Sequence, residues 1–252
     1  MSPVELWLRW EGRDPAVSDD ARKLSQFVNE LVKFDIVYES WLRSPSAKKP
    51  VLTTPLSEAD AGRLLQERIA YYDVPRKPWP ELGSSVYGGH AGPAPYDFSE
   101  ARLADTRIRI GAFGSAGTPL PNRIIMRLAD SRCSTGRSWR ASELRPLMKF
   151  ARAIWRPVEM CAIFSYVIGS SPKIPDATWA AGERPLTPRI GWITYLPPDL
   201  AARAKYPADV EVETLDDGAA LVTLCEEPFD NTDAQGLARL HALEAALRPL
   251  QS

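Results

Sequence analysis

His90 and His241 are the only histidines in a chain of 252 residues, so histidine-based acid–base or nucleophilic chemistry would have to run through one of them. His90 stands in Gly88-Gly89-His90 and His241 in a helical apolar pattern near the C-terminus, and neither accompanies a nucleophile motif. Phe113-Gly114-Ser115-Ala116-Gly117 lacks the first glycine of the hydrolase elbow and leads into a loop rather than a helix. Ser46-Ala47-Lys48-Lys49 has the Ser-x-x-Lys spacing, but in a proline-flanked polar stretch without the companion motifs. There is no glycine-rich phosphate loop and no His/Cys cluster with metal-ligand spacing. None of the eight lysines follows an acid at the two-residue spacing of restriction-type nucleases. No catalytic residue, metal site or cofactor is expected. The remaining route to catalysis is a site assembled from distant acids and bases.

Charge is the feature that stands out. Between Lys205 and Arg239 there is no basic residue, while nine acids fall in that interval: Asp209, Glu211, Glu213, Asp216, Asp217, Glu226, Glu227, Asp230 and Asp233. The segment from Arg123 to Arg156 is the counterpart, with nine basic residues against Asp130 and Glu143. In a strand over 210–215, Glu211 and Glu213 share one face and Val210 and Val212 the other. That predicts an acidic face turned to solvent, suited to a basic partner because complementary charge speeds encounter. The candidate contact residues are Asp209, Glu211, Glu213, Asp216, Asp217, Glu226 and Asp230. The plain alternative is a solvated surface.

These residues need a scaffold. Val4, Leu6, Leu8 and Trp10 alternate with polar or exposed positions and predict a strand. Ser18 or Asp19 is expected to cap a helix carrying Ala21, Leu24, Phe27, Val28 and Leu31 inward, and Ser57 with Asp60 a second, carrying Ala61, Leu64, Leu65 and Ile69. The stretch 75–95 reads as loop with a short strand near Val86. Strands around 107–112 and 123–128 flank a Gly/Pro-rich hairpin loop. Ser142 is expected to cap a third helix, with Pro146 in its first turn, ahead of an apolar strand over 158–166. Strands at 189–196, 210–215 and 219–225 follow, with a short helix from Pro198 and Asp216-Asp217-Gly218 as the hairpin turn. Asp233 caps a last helix with Leu237, Leu240, Leu243 and Leu247 inward. The fold class is α+β, a mostly antiparallel sheet with about four helices packed on it. The chain reads as one domain over 1–252, with a two-lobed division into 1–104 and 105–252 as the variant.

With 44% hydrophobic and 25% charged residues the composition is that of a soluble globular protein. No apolar run approaches the ~20 residues of a membrane span. The N-terminus has no basic segment followed by an apolar core, and Cys133, Cys161 and Cys225 are odd in number and in no paired motif. The expectation is a cytoplasmic protein with buried, inert thiols.

Gly191-Trp192-Ile193-Thr194-Tyr195-Leu196, then an acidic hairpin, then Glu227-Pro228-Phe229-Asp230 before the last helix, resemble the bacterial immunity protein 52 family. The N-terminal half agrees through Leu6-Trp7-Leu8-Arg9-Trp10, a capped helix, Trp41 ahead of a Lys-rich loop, and Glu81-Leu82-Gly83. The resemblance implies an antitoxin of polymorphic toxin and type VI secretion systems, which neutralises a toxin with a restriction-endonuclease-like nuclease domain by binding it. It brings no catalytic residues with it. Its signature positions Trp41, Gly191, Trp192, Tyr195 and Phe229 read as structural, which leaves the acids as contact candidates.

Two other readings stay open. A nucleic-acid binder would use Arg123, Arg127, Arg137 and Arg140, although alternation puts Arg123 and Arg127 on an ordinary outer strand face and the net charge is −1. An enzyme would need a dispersed acid/base site. A toxin reading frame immediately upstream would favour the antitoxin.

Overall fold

The computed structural model describes residues 4–10, 17–34, 36–42, 52–67, 84–90, 105–110, 122–128, 139–164, 189–229 and 232–250. The expected inward Ile69 and the loops over 111–121 and 165–188 lie outside them. The chain forms two compact units whose segments alternate along the sequence. The first takes Met1–Leu8, Ser138–Met148 and Val158–Ser252, the second Arg9–Arg137 and Lys149–Pro157. The class is α+β, and every strand pairing with a described register is antiparallel.

The first unit is built on β1 (Val4–Trp10), β7 (Glu159–Phe164), β8 (Ile193–Leu196), β9 (Glu211–Thr214) and β10 (Ala220–Thr223). Their spatial order is β1-β7-β8-β10-β9, with β9 outermost. β8 and β10 are buried at every position, as befits strands with neighbours on both sides. Gly191 enters β8 where a Cβ would overlap the Ala162 carbonyl oxygen and the Ile163 side chain on β7, so close strand approach requires a glycine there. Trp192 is buried and its Nε1–H donates to the Cys225 carbonyl at 2.8 Å, tying the start of β8 to the end of β10.

Helix α4 (Pro198–Ala201) starts directly after β8. Pro197 is its N-cap and Pro198 its first residue, the positions where a missing N–H leaves no helical bond unmade. The hairpin of β9 and β10 turns through Asp216-Asp217-Gly218 as a three-residue loop. Gly218 takes φ +85°, the Leu215 N–H donates to Ala219 O at 2.8 Å, and Asp217 Oδ1 accepts from the Ala219 N–H at 3.1 Å. Helix α5 (Ala234–Leu247) is capped by Asp233, whose Oδ1 accepts from the N–H groups of Gln235 and Gly236, each at 3.0 Å. Leu240, Leu243 and Leu247 face inward, while Leu237 is only half-buried. Its expected place on the inner face is taken by Gly236, where a Cβ would overlap the Phe229 ring.

The second unit holds β2 (Ser40–Leu42), β3 (Leu52–Thr53), β4 (Ser84–His90), β5 (Asp105–Ile110) and β6 (Asn122–Arg127), in the order β3-β2-β4-β5-β6. β4 is seven residues long and includes His90, which the glycine-rich sequence had placed in a loop. Helix α1 (Val17–Phe34) begins earlier than expected, so Ser18 and Asp19 sit in its first turn rather than capping it. Ala21, Leu24, Phe27, Val28 and Leu31 are buried as their spacing demands.

Helix α2 (Glu58–Glu67) is capped by Ser57, whose Oγ accepts from the Asp60 N–H at 3.1 Å and donates to its carboxylate at 2.7 Å. Asn29 of α1 pairs with both backbone groups of Leu56, donating to its O at 2.9 Å and accepting from its N–H at 2.7 Å. Phe27 stacks on Phe150 and meets Trp155 edge-on, and Trp155 also packs on Trp10 at 4.7 Å between ring centroids.

Helix α3 (Ala141–Trp155) starts one residue before the expected cap. The Arg140 carbonyl accepts the first helical bonds, from Glu143 and Leu144, so Arg140 is the N-cap and Ser142 already lies inside the helix. Pro146 consequently falls in the second turn rather than the first. The helix closes at Arg156, a non-glycine residue held at φ 47° ahead of Pro157.

Candidate functional site

The acids singled out in the sequence lie in the first unit, and most of those described are engaged inside it. The side chains of Glu211 and Arg145 of α3 form an ion pair. Glu227 pairs with Arg140 at 3.1 Å and Asp209 with Arg239 of α5 at 3.4 Å. Glu226 caps α3 from outside the helix. Its Oε1 accepts from the Ser142 backbone N–H at 3.3 Å and from the Ser142 hydroxyl, while its main-chain carbonyl accepts the Ala141 N–H at 2.9 Å. Inside the helix Glu143 reaches back to the Arg140 N–H at 2.9 Å, the reciprocal half of a capping box whose other half Glu226 supplies. The Ser142 bonds hold the Glu226 carboxyl below its usual range.

The acidic segment and the basic segment therefore answer each other at Arg140 and Arg145. The prediction of a uniformly solvent-facing acidic sheet surface needs narrowing. Glu211 keeps an exposed side chain but spends its charge on Arg145. Val212, expected to turn inward, is 36% exposed. β9 is thus open to solvent along both faces, with Glu213 its one half-buried residue. Asp216 and Asp217 are exposed at the hairpin tip. Asp230 lies outside the described residues.

Trp192, Tyr195 and Phe229 are buried at 1%, 4% and 4% exposure, and Gly191 is buried with them. Trp41 lies on β2, where its backbone pairs with Leu52 and His90. Of the basic residues, Arg140 and Arg145 are drawn to acids as described, Arg123 is half-buried on β6, and Arg137 lies outside the described residues.

Sequence reasoning missed one cluster. Glu5 on β1 and Glu159 on β7 are both buried. Glu5 accepts from the Trp7 indole at 3.0 Å. Glu159 accepts from the Arg189 backbone N–H at 2.9 Å, and the Arg189 guanidinium lies 3.9 Å from it and 4.2 Å over the Trp7 ring. The period-two pattern of β1 points Glu5 away from Leu6 and Leu8, and only its burial shows that the second face of the strand is also covered. Buried carboxylates are groups that acid–base chemistry could use. Here each already accepts a hydrogen bond from a neighbour, and the cluster fastens the chain at Arg189 to β1 and β7.

No group of three or more His, Cys, Asp or Glu suited to a metal occurs among the described residues, and no described helix is long and apolar enough to cross a membrane. Cys161 is fully buried and its thiol is pushed far up by desolvation, which makes it inert. Cys225 is half-buried and raised for the same reason.

Comparison with solved structures finds a likeness to the Pseudomonas aeruginosa T6SS protein PA0821, with a TM-score of 0.51 and 12% identity, covering 98% of this chain and 72% of that one. At that identity the likeness is one of fold. No curated protein matches. The model of the family described as immunity protein 52 matches residues 7–248, which spans both units, the Gly191–Leu196 strand, the acidic hairpin and the capped last helix; this chain belongs to the immunity protein 52 family.

Proposed function

We propose that this chain is a non-catalytic immunity protein that binds and neutralises a cognate nuclease toxin of restriction-endonuclease-like fold, in the cytoplasm of the cell that makes it. The observation that carries the reading is the family match over residues 7–248. A nuclease must attract phosphates, so the surroundings of its active site are positive, and an acidic protein surface competes for them. The exposure of Asp216 at the β9–β10 turn supports this reading, with Asp217 beside it and Glu213 on β9.

The nucleic-acid-binding alternative loses support because Arg140 and Arg145 are each paired with a carboxylate of this chain. The enzyme alternative rests on Glu5 and Glu159, both already hydrogen-bonded.

The test is co-expression with the toxin encoded by the neighbouring gene, followed by purification of the pair and a DNA-cleavage assay. The expected result is a stable complex, cell survival and loss of cleavage on titration with this protein. Toxicity and cleavage unaffected by a folded, stoichiometric excess would refute the reading. So would turnover of a substrate by the protein alone that Glu5→Gln or Glu159→Gln abolishes without unfolding.

A further inference from the structure

An outermost strand leaves a row of backbone N–H and C=O groups without a neighbour, and natural sheets usually blunt such edges with lysine, proline, bulges or very short strands. The β3 edge of the second unit follows that rule, with two residues flanked in sequence by Pro50 and Pro55. β9 does not. Glu211-Val212-Glu213-Thr214 holds no lysine or proline, pairs with β10 residue for residue, and exposes Val212.

The register fixes which groups point outward. Leu215 donates to Ala219, and antiparallel pairs alternate between bonded and non-bonded. Glu213–Leu221 and Glu211–Thr223 are therefore the bonded pairs. Val212 and Thr214 turn their N–H and C=O groups away from β10, along an edge that no other described strand pairs.

We propose that the β9 edge receives an extended, basic segment of the partner toxin as an added strand. This rests on the toxin-binding reading and specifies where and how the toxin is held. Main-chain hydrogen bonds at Val212 and Thr214 give the register of the added strand, and alternate side chains give it selectivity. The hairpin from Glu211 to Gly218 has four acids and no base. A second copy of β9 laid against the edge would bring like charges together, which is unfavourable between paired strands. Glu211 is already paired with Arg145, so a segment rich in Lys or Arg meets the hairpin's negative charge chiefly at the tip, where Asp216 is exposed.

The experiment exploits the outward N–H groups. Proline is tolerated on an edge strand where its missing N–H faces solvent, so Val212→Pro and Thr214→Pro leave the β9–β10 ladder in place while removing a donor from the open edge. Binding of the purified, catalytically inactivated toxin domain is measured by calorimetry for wild type and both variants, with melting as the control. The expected result is at least tenfold weaker binding for each variant at an unchanged melting temperature. Hydrogen exchange on the wild-type complex gives a second readout that does not depend on the variants folding: the Val212 and Thr214 amides should exchange more slowly when bound.

Wild-type affinity in both folded variants, or unprotected edge amides in the complex, overturns the proposal. A dimer of the free chain that Val212→Pro dissociates also overturns it, because the edge would then belong to a second copy. If the wild-type chain does not bind the toxin domain at all, the toxin-binding reading itself has failed. If it binds and the edge is uninvolved, only the strand-addition proposal falls.

Discussion

The Glu226 carboxylate accepts hydrogen bonds from both the backbone N–H and the hydroxyl of Ser142, a residue 84 positions earlier in the chain. A helix N-terminus carries unpaired donors and a partial positive charge, and here a carboxylate beyond β10 answers them. An acid that sequence alone offers as a partner contact thus has structural work inside its own unit.

Glu226→Ala should destabilise the protein by about 1 kcal/mol at pH 7, the usual cost of a lost helix cap. The folded-state pKa of Glu226 is lowered from 4.5. Its contribution is therefore present above the unfolded value and is lost as pH falls through the lowered folded value. Urea unfolding of both proteins at pH 7 and pH 3 checks this; the gap between them should narrow at pH 3.

Asp20 behaves in the opposite sense. It is buried in the first turn of α1, and desolvation raises its carboxyl to about 6. A raised acid costs stability once it must ionise in the folded state, so the penalty is complete above pH 6 and is relieved as pH falls toward 4. Asp20→Asn should raise the melting temperature at pH 7 and leave it nearly unchanged at pH 4, read by calorimetry at the two pH values.

At Gly236 two magnitudes compete. Alanine in place of Gly236, in the first turn of α5, gains at most about 1 kcal/mol of helix propensity. The new Cβ would overlap the Phe229 ring, and overpacking a core costs roughly 1–3 kcal/mol. Gly236→Ala should therefore lose stability by denaturant titration. Gly236→Ala should cost less in a Phe229→Ala background than in wild type, because the obstructing Cγ and Cδ2 are then gone.

Trp192→Ala should cost ~3–5 kcal/mol, the usual range for truncating a buried aromatic. The indole is buried and donates to the Cys225 carbonyl, so Trp192→Phe should fall between wild type and alanine. A Trp192→Ala protein that melts like wild type yet no longer binds toxin would make the residue a contact instead.

Charge reversal separates the acids by their surroundings. Glu211→Lys places a second cation beside Arg145 and should lower stability by up to about 1 kcal/mol, the scale of an exposed ion pair. Asp216→Lys at the exposed tip should leave the melting temperature unchanged and slow toxin association most at low salt, since rim charges act on the on-rate. Stopped-flow association at low and high salt tells the two variants apart.

The elements were legible wherever periodicity and a cap coincided. α1 shows its apolar stripe from Ala21 to Leu31, α2 its Ser57 cap, and α5 its Asp233 cap. The hairpin at Gly218 announced itself through the Asp-Gly pair. Three features escaped because they depend on residues far apart in sequence. α3 begins at Ala141 rather than after Ser142 because Glu226 supplies the cap from another element. Gly236 rather than Leu237 takes the inner face of α5 with Leu240, Leu243 and Leu247, because Phe229 packs against a position that only the fold reveals. Arg140 and Arg145 look like an open basic segment until the fold brings Glu227 and Glu211 to them. Composition counts charges, but only the tertiary structure shows which are already answered.

The β9–β10 turn keeps its shape through main-chain bonds, the left-handed Gly218 and the Asp217 side chain at Ala219. Asp216, exposed beside them, has no such duty. The hairpin therefore divides labour between neighbouring positions: one set holds the loop, another is open to revision. A substitution at Asp216 is nearly invisible to folding yet fully visible to whatever meets the tip. The charge of the tip can therefore change without drawing on the stability of the hairpin that carries it.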